Sequence, residues 1–553
     1  MKKLLLVLLA LLISTIIFGC AAPTQTPATT TPAKPVPAAS TPSAPAPAAT
    51  TPVTPKPAAT TPSTTAAAKT PKYGGTFRFI AGGGPGAPFG TPWLTVGGST
   101  ASMQLCLETP FKELIDGSLV PSLAESYTVD TSADKPSITF KLKKGIKFHD
   151  GTDFNAAAMK WNLDKVSALG STQIANTTNW KSSEVVDDYT IRINLKSWQN
   201  TALNMFANAV SYVISPAAFQ KNGVEWTNWN MVGTGAFVQT DFQRDVSMTV
   251  VRNPSYWQQG KPYLDKIQTI YVPDAMTAEV LFKTGGGEVI QCASDKMADN
   301  LKRAGFKIIS YPGVAYIMYP DSKNADSPWS NLKFRMAAEY AIDKEAIANA
   351  FGYGTWTPSY QYPPPTSPAF NPALAPRKYD AAKAKQLLAE AGFPNGVKTT
   401  IHVSPSGANQ DIALAIQAEW AKVGIQAALQ NPQAGAWSLL QRGTWSNGCL
   451  FGPGATSTNP LSGFNYYTTT GTMFLSVKRP DGFDALYQAA LGAPKLDPAL
   501  AQKCGAAMYN EVTIIPLFVA PTTWAVADYV QDHGLGTRGI FSMYEPQNLW
   551  LSK

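Results

Sequence analysis

Histidine is scarce: 553 residues hold three, His149, His402 and His533. They lie far apart, and no H-E-x-x-H occurs, so nothing carries zinc-ligand spacing and no resident metal is expected. Cysteine is almost as rare. The five are Cys20, Cys106, Cys292, Cys449 and Cys504, with no C-x-x-C among them, and spacing leaves the pairing of the last four open. Charged residues make up 15% of the chain. The net charge of +8 includes Lys2 and Lys3, and no Lys/Arg block follows, whereas nucleic-acid binders cluster their basic residues; no nucleic-acid partner is expected. The chain lacks G-x-S-x-G, and no paired-carboxylate signature stands out. Gly82–Gly86 (GGGPG) has no Lys-Ser/Thr, and Pro85 removes an amide donor, so it reads as a flexible loop and not as a phosphate cradle. No enzyme chemistry and no cofactor are expected.

Long apolar runs are missing with one exception. Lys2 and Lys3 precede an unbroken apolar stretch, Leu4–Phe18, which ends at Gly19-Cys20. A basic start, a short apolar core and a small residue at the cut site describe an export signal, and the run is shorter than the roughly 20 residues of a membrane span. With Ile17 and Gly19 before it, Cys20 resembles the lipobox cysteine of bacterial lipoproteins. The resemblance implies cleavage after residue 19, lipidation of Cys20 and an extracytoplasmic body anchored to the cell membrane, facing either a wall or a periplasm. From Ala21 to about Pro71 the chain is almost wholly Ala, Pro and Thr. Such a segment cannot bury enough surface to offset its ordering entropy. As a polyproline-like leash of ~3.1 Å per residue it would reach on the order of 150 Å.

What is plentiful is aromatic surface: 14 Trp and 21 Tyr. Their flat faces and polar edges suit organic ligands. Folded sequence is expected from Tyr73. Ile267–Val272 reads as a strand, followed by Pro273-Asp274 and a helix over Ala275–Thr284 that Gly285-Gly286-Gly287 stops. Asp380 is placed to cap a helix whose Ala384, Leu387, Leu388 and Ala391 share a face; Asp343 is placed to cap Lys344–Phe351, with Ala346, Ile347, Ala350 and Phe351 inward. Ile412–Val423 is amphipathic and leads through Gly424 into the strand-like Ile425–Leu429. Alternating strands and helices favour α/β lobes.

Four stretches together resemble the extracytoplasmic solute-binding proteins, family 5, of peptide- and nickel-type ABC importers. They are the opening Tyr73–Arg78 (YGGTFR); Leu119–Ser126 (LVPSLAES) with Ile138–Asn155 (ITFKLKKGIKFHDGTDFN); Gly233–Trp257 with Gly260–Asp265; and Arg335–Ile347 (RMAAEYAIDKEAI) with Tyr379–Gly396. In this setting His149, Asp150 and Gly151 read as a tight turn. The resemblance implies a two-lobed α/β fold with a hinge and an extra subdomain: 1–19 signal, 20–72 lipidated cysteine and linker, lobe I over 73–109, 229–316 and 519–553, subdomain over 110–228, and lobe II over 317–518. It implies a monomer that captures a small organic solute, peptide-like, saccharide or chelate, between the lobes and passes it to ABC permease subunits. A surface sensor or hydrolase is the alternative class.

Peptide-binding members of that family carry an Asp in the stretch after the helix equivalent to Ile412–Val423, where it pairs with the peptide's free amine. Here the stretch is Gly443–Phe464, GTWSNGCLFGPGATSTNPLSGF, and no Asp or Glu occurs between Glu419 and Asp481. A buried ammonium without a charged partner is costly, so the cleft is expected not to anchor a free amine in that way. Candidate ligand-binding residues are Trp445 and Asn447 first, then Trp437, Arg442, Phe464, Tyr466, Trp356 and Trp93. Each aromatic among them has a competing reading as ordinary core.

Overall fold

Two strands, Lys307–Pro320 and Ile515–Val526, are 14 and 12 residues long in this computed structural model, twice the usual strand, and the architecture follows from them. The structure describes residues 70–95, 99–115, 117–405, 409–455, 459–536 and 545–553; the export signal, Cys20 and the linker to residue 69 lie outside the described residues.

The main sheet contains β1 (Thr76–Ala81), β2 (Phe237–Gln243), β3 (Ser247–Arg252), β4 (Lys266–Tyr271), β5 (Val289–Gln291), β6 (Lys307–Pro320), β7 (Val397–Val403), β8 (Ile425–Gln430), β9 (Gly448–Ala455) and β10 (Ile515–Val526). Their order is β8-β7-β9-β6-β10-β5-β1-β4-β3-β2, and Thr357–Pro358 adds a short eleventh strand on β10. β1 runs parallel to β4 and β5; β7 runs parallel to β8 and β9. Between these parallel sets β6 and β10 pair antiparallel from Lys307 opposite Val526 to Met318 opposite Ile515. This is the two-lobed α/β fold: lobe I is built on β1–β5, lobe II on β7–β9, and the β6–β10 ribbon passes through both.

Alternation along the ribbon seats it in separate cores. Phe518 and Met318 enter one lobe II core with Trp329, Phe334, Ile416 and Trp420. Val519, Ile317 and Tyr319 enter a second on the opposite face, with Trp437, Trp445, Phe464 and Phe483. Further along, Trp524 and Val526 join the large lobe I core, and Ala525 packs with Ile80, Phe282 and Leu301. A four-stranded antiparallel sheet, Ala124–Asp130, Ser137–Leu142, Trp180–Asp187 and Thr190–Leu195, forms the subdomain with helix Ala156–Ser167. Its inner residues Phe140, Ile191 and Ile193 belong to the lobe I core.

Local signals explain most elements. Asp274, Asp343 and Asp380 each accept the backbone N–H three residues on, at 2.8 Å, and open helices Ala275–Lys283, Lys344–Gly352 and Ala381–Glu390. One phase differs from expectation: Ala346 and Ala350 face solvent, while Lys344, Ile347 and Ala348 are buried. The reason is electrostatic. Lys344 Nζ reaches Glu339 at 2.9 Å, Arg377 reaches the other carboxylate oxygen at 3.1 Å, and the Lys344 and Glu339 side chains are 0% and 1% exposed. Nearby Arg335, also buried, donates to the carbonyls of Trp329, Ser330 and Glu511. The charges in the RMAAEYAIDKEAI stretch thus hold lobe II together from inside. His149–Gly151 is a turn: Gly151 has φ 84°, and Phe148 and Thr152 close it with a 2.8 Å bond. His149 Nε2 lies 3.0 Å from the Gly235 carbonyl, and Asp150 accepts from Ser215, the cap of helix Pro216–Thr227.

Candidate functional site

The register of the sheet makes the strand ends of both lobes converge. Gln291, the last residue of β5, lies opposite Trp524, and the Cys292 N–H donates to Thr523; Ala455, the last residue of β9, lies opposite Val314, itself opposite Ala520. The C-terminal ends of β1, β4 and β5 and those of β7, β8 and β9 therefore face one crossing zone, Tyr311–Val314 with Ala520–Thr523. Ligands of open α/β sheets sit outside the carboxyl ends of parallel strands, and here two such edges oppose each other. The ladder slips at Pro312/Val314 and again at Tyr316/Ile317. Gly313 is required at the first slip, because a Cβ there would lie 2.5 Å from Thr522 Oγ1 and 2.7 Å from its backbone nitrogen.

On lobe I the edge is made by the Gly82–Gly86 loop, the β2–β3 turn, Asp274 and the start of helix Asp295–Arg303. The loop touches the turn so closely that a Cβ on Gly84 would lie 2.3 Å from Asp245 Oδ1. On lobe II the edge is made by Ser404 and Gly452, where a Cβ on Gly452 would lie 2.6 Å from Ser404 Cβ and 3.1 Å from the Trp437 ring. Three charged residues of the lobe I edge are already engaged. Asp274 accepts from Thr277, which holds its carboxyl below the usual range. Arg244 lies 4.8 Å over the Trp229 ring. Asp295 accepts from Thr355 Oγ1 at 2.9 Å and from Trp356 Nε1 at 2.8 Å. Among the described residues, no group of three or more His, Cys, Asp and Glu could hold a metal ion. At the lobe II edge the groups brought together are neutral: Ser404, Gly452 and the Trp437 ring.

The candidate residues separate in space. Trp356 and Trp437 lie beside the crossing zone, each buried in a lobe II core. Trp356 stacks on Phe518 at 4.5 Å and on Tyr316 at 5.4 Å while its indole crosses to Asp295 of lobe I. Asn447 and Trp445 do not come to that edge. β9 begins at Gly448, so Asn447 enters the sheet at its opposite margin. There it adopts φ 47°, its N–H donates to buried Asp321 at 2.7 Å, and its carbonyl accepts from Thr400. Trp445 is buried in the lobe II core, and its backbone N–H and carbonyl both bond to the Ser476 hydroxyl. Phe464 is fully buried in that core; Tyr466 is 36% exposed, edge-on to Phe474. Arg442 is an exposed residue at the end of helix Ala434–Arg442. Trp93 lies in the lobe I core, edge-on to Trp161 and Phe219 at 5.8 and 5.5 Å, and its carbonyl takes the hydroxyls of Ser171 and Thr172. Sequence reasoning missed Asp295. It follows the cap Ser294 at the end of β5, and only the strand-then-cap pattern could have flagged it.

Comparison with known proteins agrees with this fold. The sequence model of the family described as bacterial extracellular solute-binding proteins, family 5, matches residues 118–474. The glutathione-binding protein GsiB of Escherichia coli (strain K12) is 35% identical over 317 residues, which are 57% of this chain and 61% of that protein. The chain thus spans about 61% of the length of that relative. NikA of Brucella suis in complex with Fe(III)-EDTA superposes with a TM-score of 0.77 at 22% identity, covering 86% of this chain and 100% of NikA. DppA of Helicobacter pylori in complex with the peptide STSA gives 0.72 at 21% identity, covering 87% and 99%. At these identities the two structures establish the shared fold.

Proposed function

The chain belongs to family 5 of the bacterial extracellular solute-binding proteins, and from that premise we propose that it is the solute receptor of an ABC importer. It captures a peptide-like or other organic solute between its lobes and delivers it to a permease. The observation that carries this reading is the convergence of two parallel-strand edges on the bulged crossing of β6 and β10. Two lobes joined by a pair of strands can close over a ligand as a hinge. On the same reading Cys20 is the lipidated end of a tethered receptor, residues 20–72 are its leash, and the lobes divide as 73–109, 229–316 and 519–553 against 317–518, with the subdomain over 110–228.

The solute we propose is one that does not need its amine recognised by a carboxylate. GsiB is named as a glutathione-binding protein, and DppA binds a peptide in its crystal. This chain has the same family frame but no acid between Glu419 and Asp481, and Asp274 and Asp295 at the lobe I edge are already hydrogen-bonded. Trp437 packs against Gly452 beside Ser404, and Trp356 stacks on Phe518 and Tyr316, both buried in lobe II cores next to the crossing zone. Native mass spectrometry of the purified protein, followed by calorimetry, tests this. Glutathione, free-amine tetrapeptides, their N-acetyl counterparts, oligosaccharides and a ferric chelate form the panel. Binding of an N-acetyl peptide at least as tight as that of its free-amine parent is the expected result. Tight binding of ordinary free-amine peptides with loss on acetylation refutes the solute assignment, and no binding across the panel with no retained cargo refutes the receptor reading.

A further inference from the structure

Away from the β6–β10 ribbon, hydrogen bonds among the described residues join the two lobes in two places. One is Asp295 with Thr355 and Trp356, close to the crossing. The other lies between the subdomain, which shares the lobe I core, and helix Phe483–Gly492 of lobe II. Trp198 Nε1 donates to the Ala493 carbonyl at 2.9 Å. Asn200 Nδ2 donates to the Ala490 carbonyl at 2.7 Å, and the Asn200 backbone N–H donates to the Leu491 carbonyl at 2.9 Å.

These bonds solve a problem at the end of that helix. The last carbonyls of an α-helix have no partner within it, and many helices end in a left-handed residue that folds the chain back to satisfy them. Helix Phe483–Gly492 has no such ending: Ala493 leaves in an extended conformation, φ −61° and ψ 148°. Its terminal carbonyls are capped by a different lobe. The three donors gain carbonyl partners when the lobes meet and give up water to do so, and both sides return to water if the lobes part. Such opposed terms keep the contact close to balance, as a reversible closure requires.

We propose that Trp198 and Asn200 form a clasp between subdomain and lobe II that sets the fraction of molecules standing closed, and through it the retention of solute, without touching the solute. The proposal rests on the reading that the lobes part and close around a ligand. As positioning residues, the pair acts through the closed fraction: an affinity that depends on a partly populated competent state scales with that population.

The test measures closure with no ligand added. In the full chain carrying Cys20→Ser and Cys292→Ser, Leu169→Cys and Leu439→Cys provide spin-label sites on the subdomain and lobe II, 97% and 74% exposed. Cys106, Cys449 and Cys504 are buried and are left in place. Pulsed dipolar spectroscopy then reads the distance between labels. A short and a long population are expected, with Trp198→Phe/Asn200→Ser lowering the short-to-long ratio about tenfold or more, given the net contribution of each lost hydrogen bond. Asn200→Asp, which turns a carboxylate toward the same carbonyls, opens the protein further. Trp198→Phe alone keeps an aromatic ring at the position while removing the N–H together with part of the indole, so it carries the test if the double variant fails to fold. Two populations in the parent that the variants leave unmoved refute the clasp and leave the hinge reading standing. A single distance in parent and variants alike refutes the hinge reading as well.

Discussion

Glu339 is the pivot of a buried ion cluster, and its removal gives a sharp test of what holds lobe II together. Its two oxygens face Lys344 at 2.9 Å and Arg377 at 3.1 Å. Lys344 also donates to the Ser359 carbonyl at 3.2 Å, and Arg377 to that of Tyr509 at 2.8 Å. Burial lowers the Lys344 pKa below its ordinary value; Glu339 opposes that shift in part, and the Arg377 charge adds to it. Glu339→Gln keeps the volume but leaves two cations facing a neutral amide. Breaking a buried pair by losing one partner costs about 3–5 kcal/mol. For a unit the size of lobe II, where each kcal/mol moves the midpoint by about 2–4 °C, the melting temperature should fall by on the order of 10 °C. Urea unfolding followed by tryptophan fluorescence reads the change through Trp329 and Trp420, both fully buried in that lobe. Hydrogen exchange adds a local readout. The Ser359 N–H bonds to Leu517 of β10 and should exchange faster in the variant. Replacing the whole cluster with Glu339→Leu, Lys344→Met and Arg377→Met should restore most of the stability, since well-packed apolar substitutes are often neutral or better. A single Glu339→Gln change that costs less than about 1 kcal/mol would show that solvent reaches the cluster and would overturn the reasoning.

Two further outcomes are expected. His533 is held to a pKa of about 4, first by burial and then by the Lys307 charge, against an ordinary 6.5. The folded protein therefore binds fewer protons than the unfolded chain between those values, so this contribution is complete above pH 6.5, is lost as pH falls toward 4, and amounts to about 3 kcal/mol at most; His533→Asn, compared with the parent by urea titration at pH 7.5 and 4.5, should flatten that difference, and equal slopes for both proteins would sink the assignment. Gly313→Ala places a methyl 2.5 Å from Thr522 Oγ1 in the crossing zone; it should lower the melting temperature and change the distance distribution between the lobes, and an unaltered distribution would show that the crossing is not where the protein bends.

Caps, turns and apolar spacing were legible in the sequence because they are local. Asp343 and Asp380 cap helices as their positions suggested, a helix follows Pro273-Asp274 as expected, and Gly151 turns the chain where the glycine stands. The two-lobed frame came from the four resemblance stretches, and the structure gives the physical reason those stretches are distinctive: Arg335, Glu339, Asp343 and Lys344 are internal struts and caps. The phase of helix Lys344–Gly352 was not legible, since apolar spacing cannot foresee a lysine buried against a glutamate five residues earlier. Site residues were harder still. Trp445 and Trp437 stand eight residues apart and are equally buried in one lobe II core, yet Trp437 packs against Gly452 and Ser404 near the crossing zone while Trp445 is tied to Ser476. Linear order cannot tell which end of β9 faces the other lobe; the pairing of Ala455 with Val314 decides it. Asp295, Trp198 and Asn200 gain their importance from partners tens to hundreds of residues away.

The ribbon of β6 and β10 has a mechanical consequence. Where the sheet crosses from one lobe to the other, the described strands that pass through are these two, bulged at two successive positions. A paired ribbon resists bending in its own plane, yet it coils readily, and bulges sharpen a coil of fixed, right-handed sense. On the proposed hinge reading, relative movement of the lobes should therefore have a handedness. The jaws would wring as they part, sweeping residues on the two edges past each other sideways as well as apart, so a solute leaving the cleft would meet a shearing exit whose direction is set by the chirality of L-amino acids.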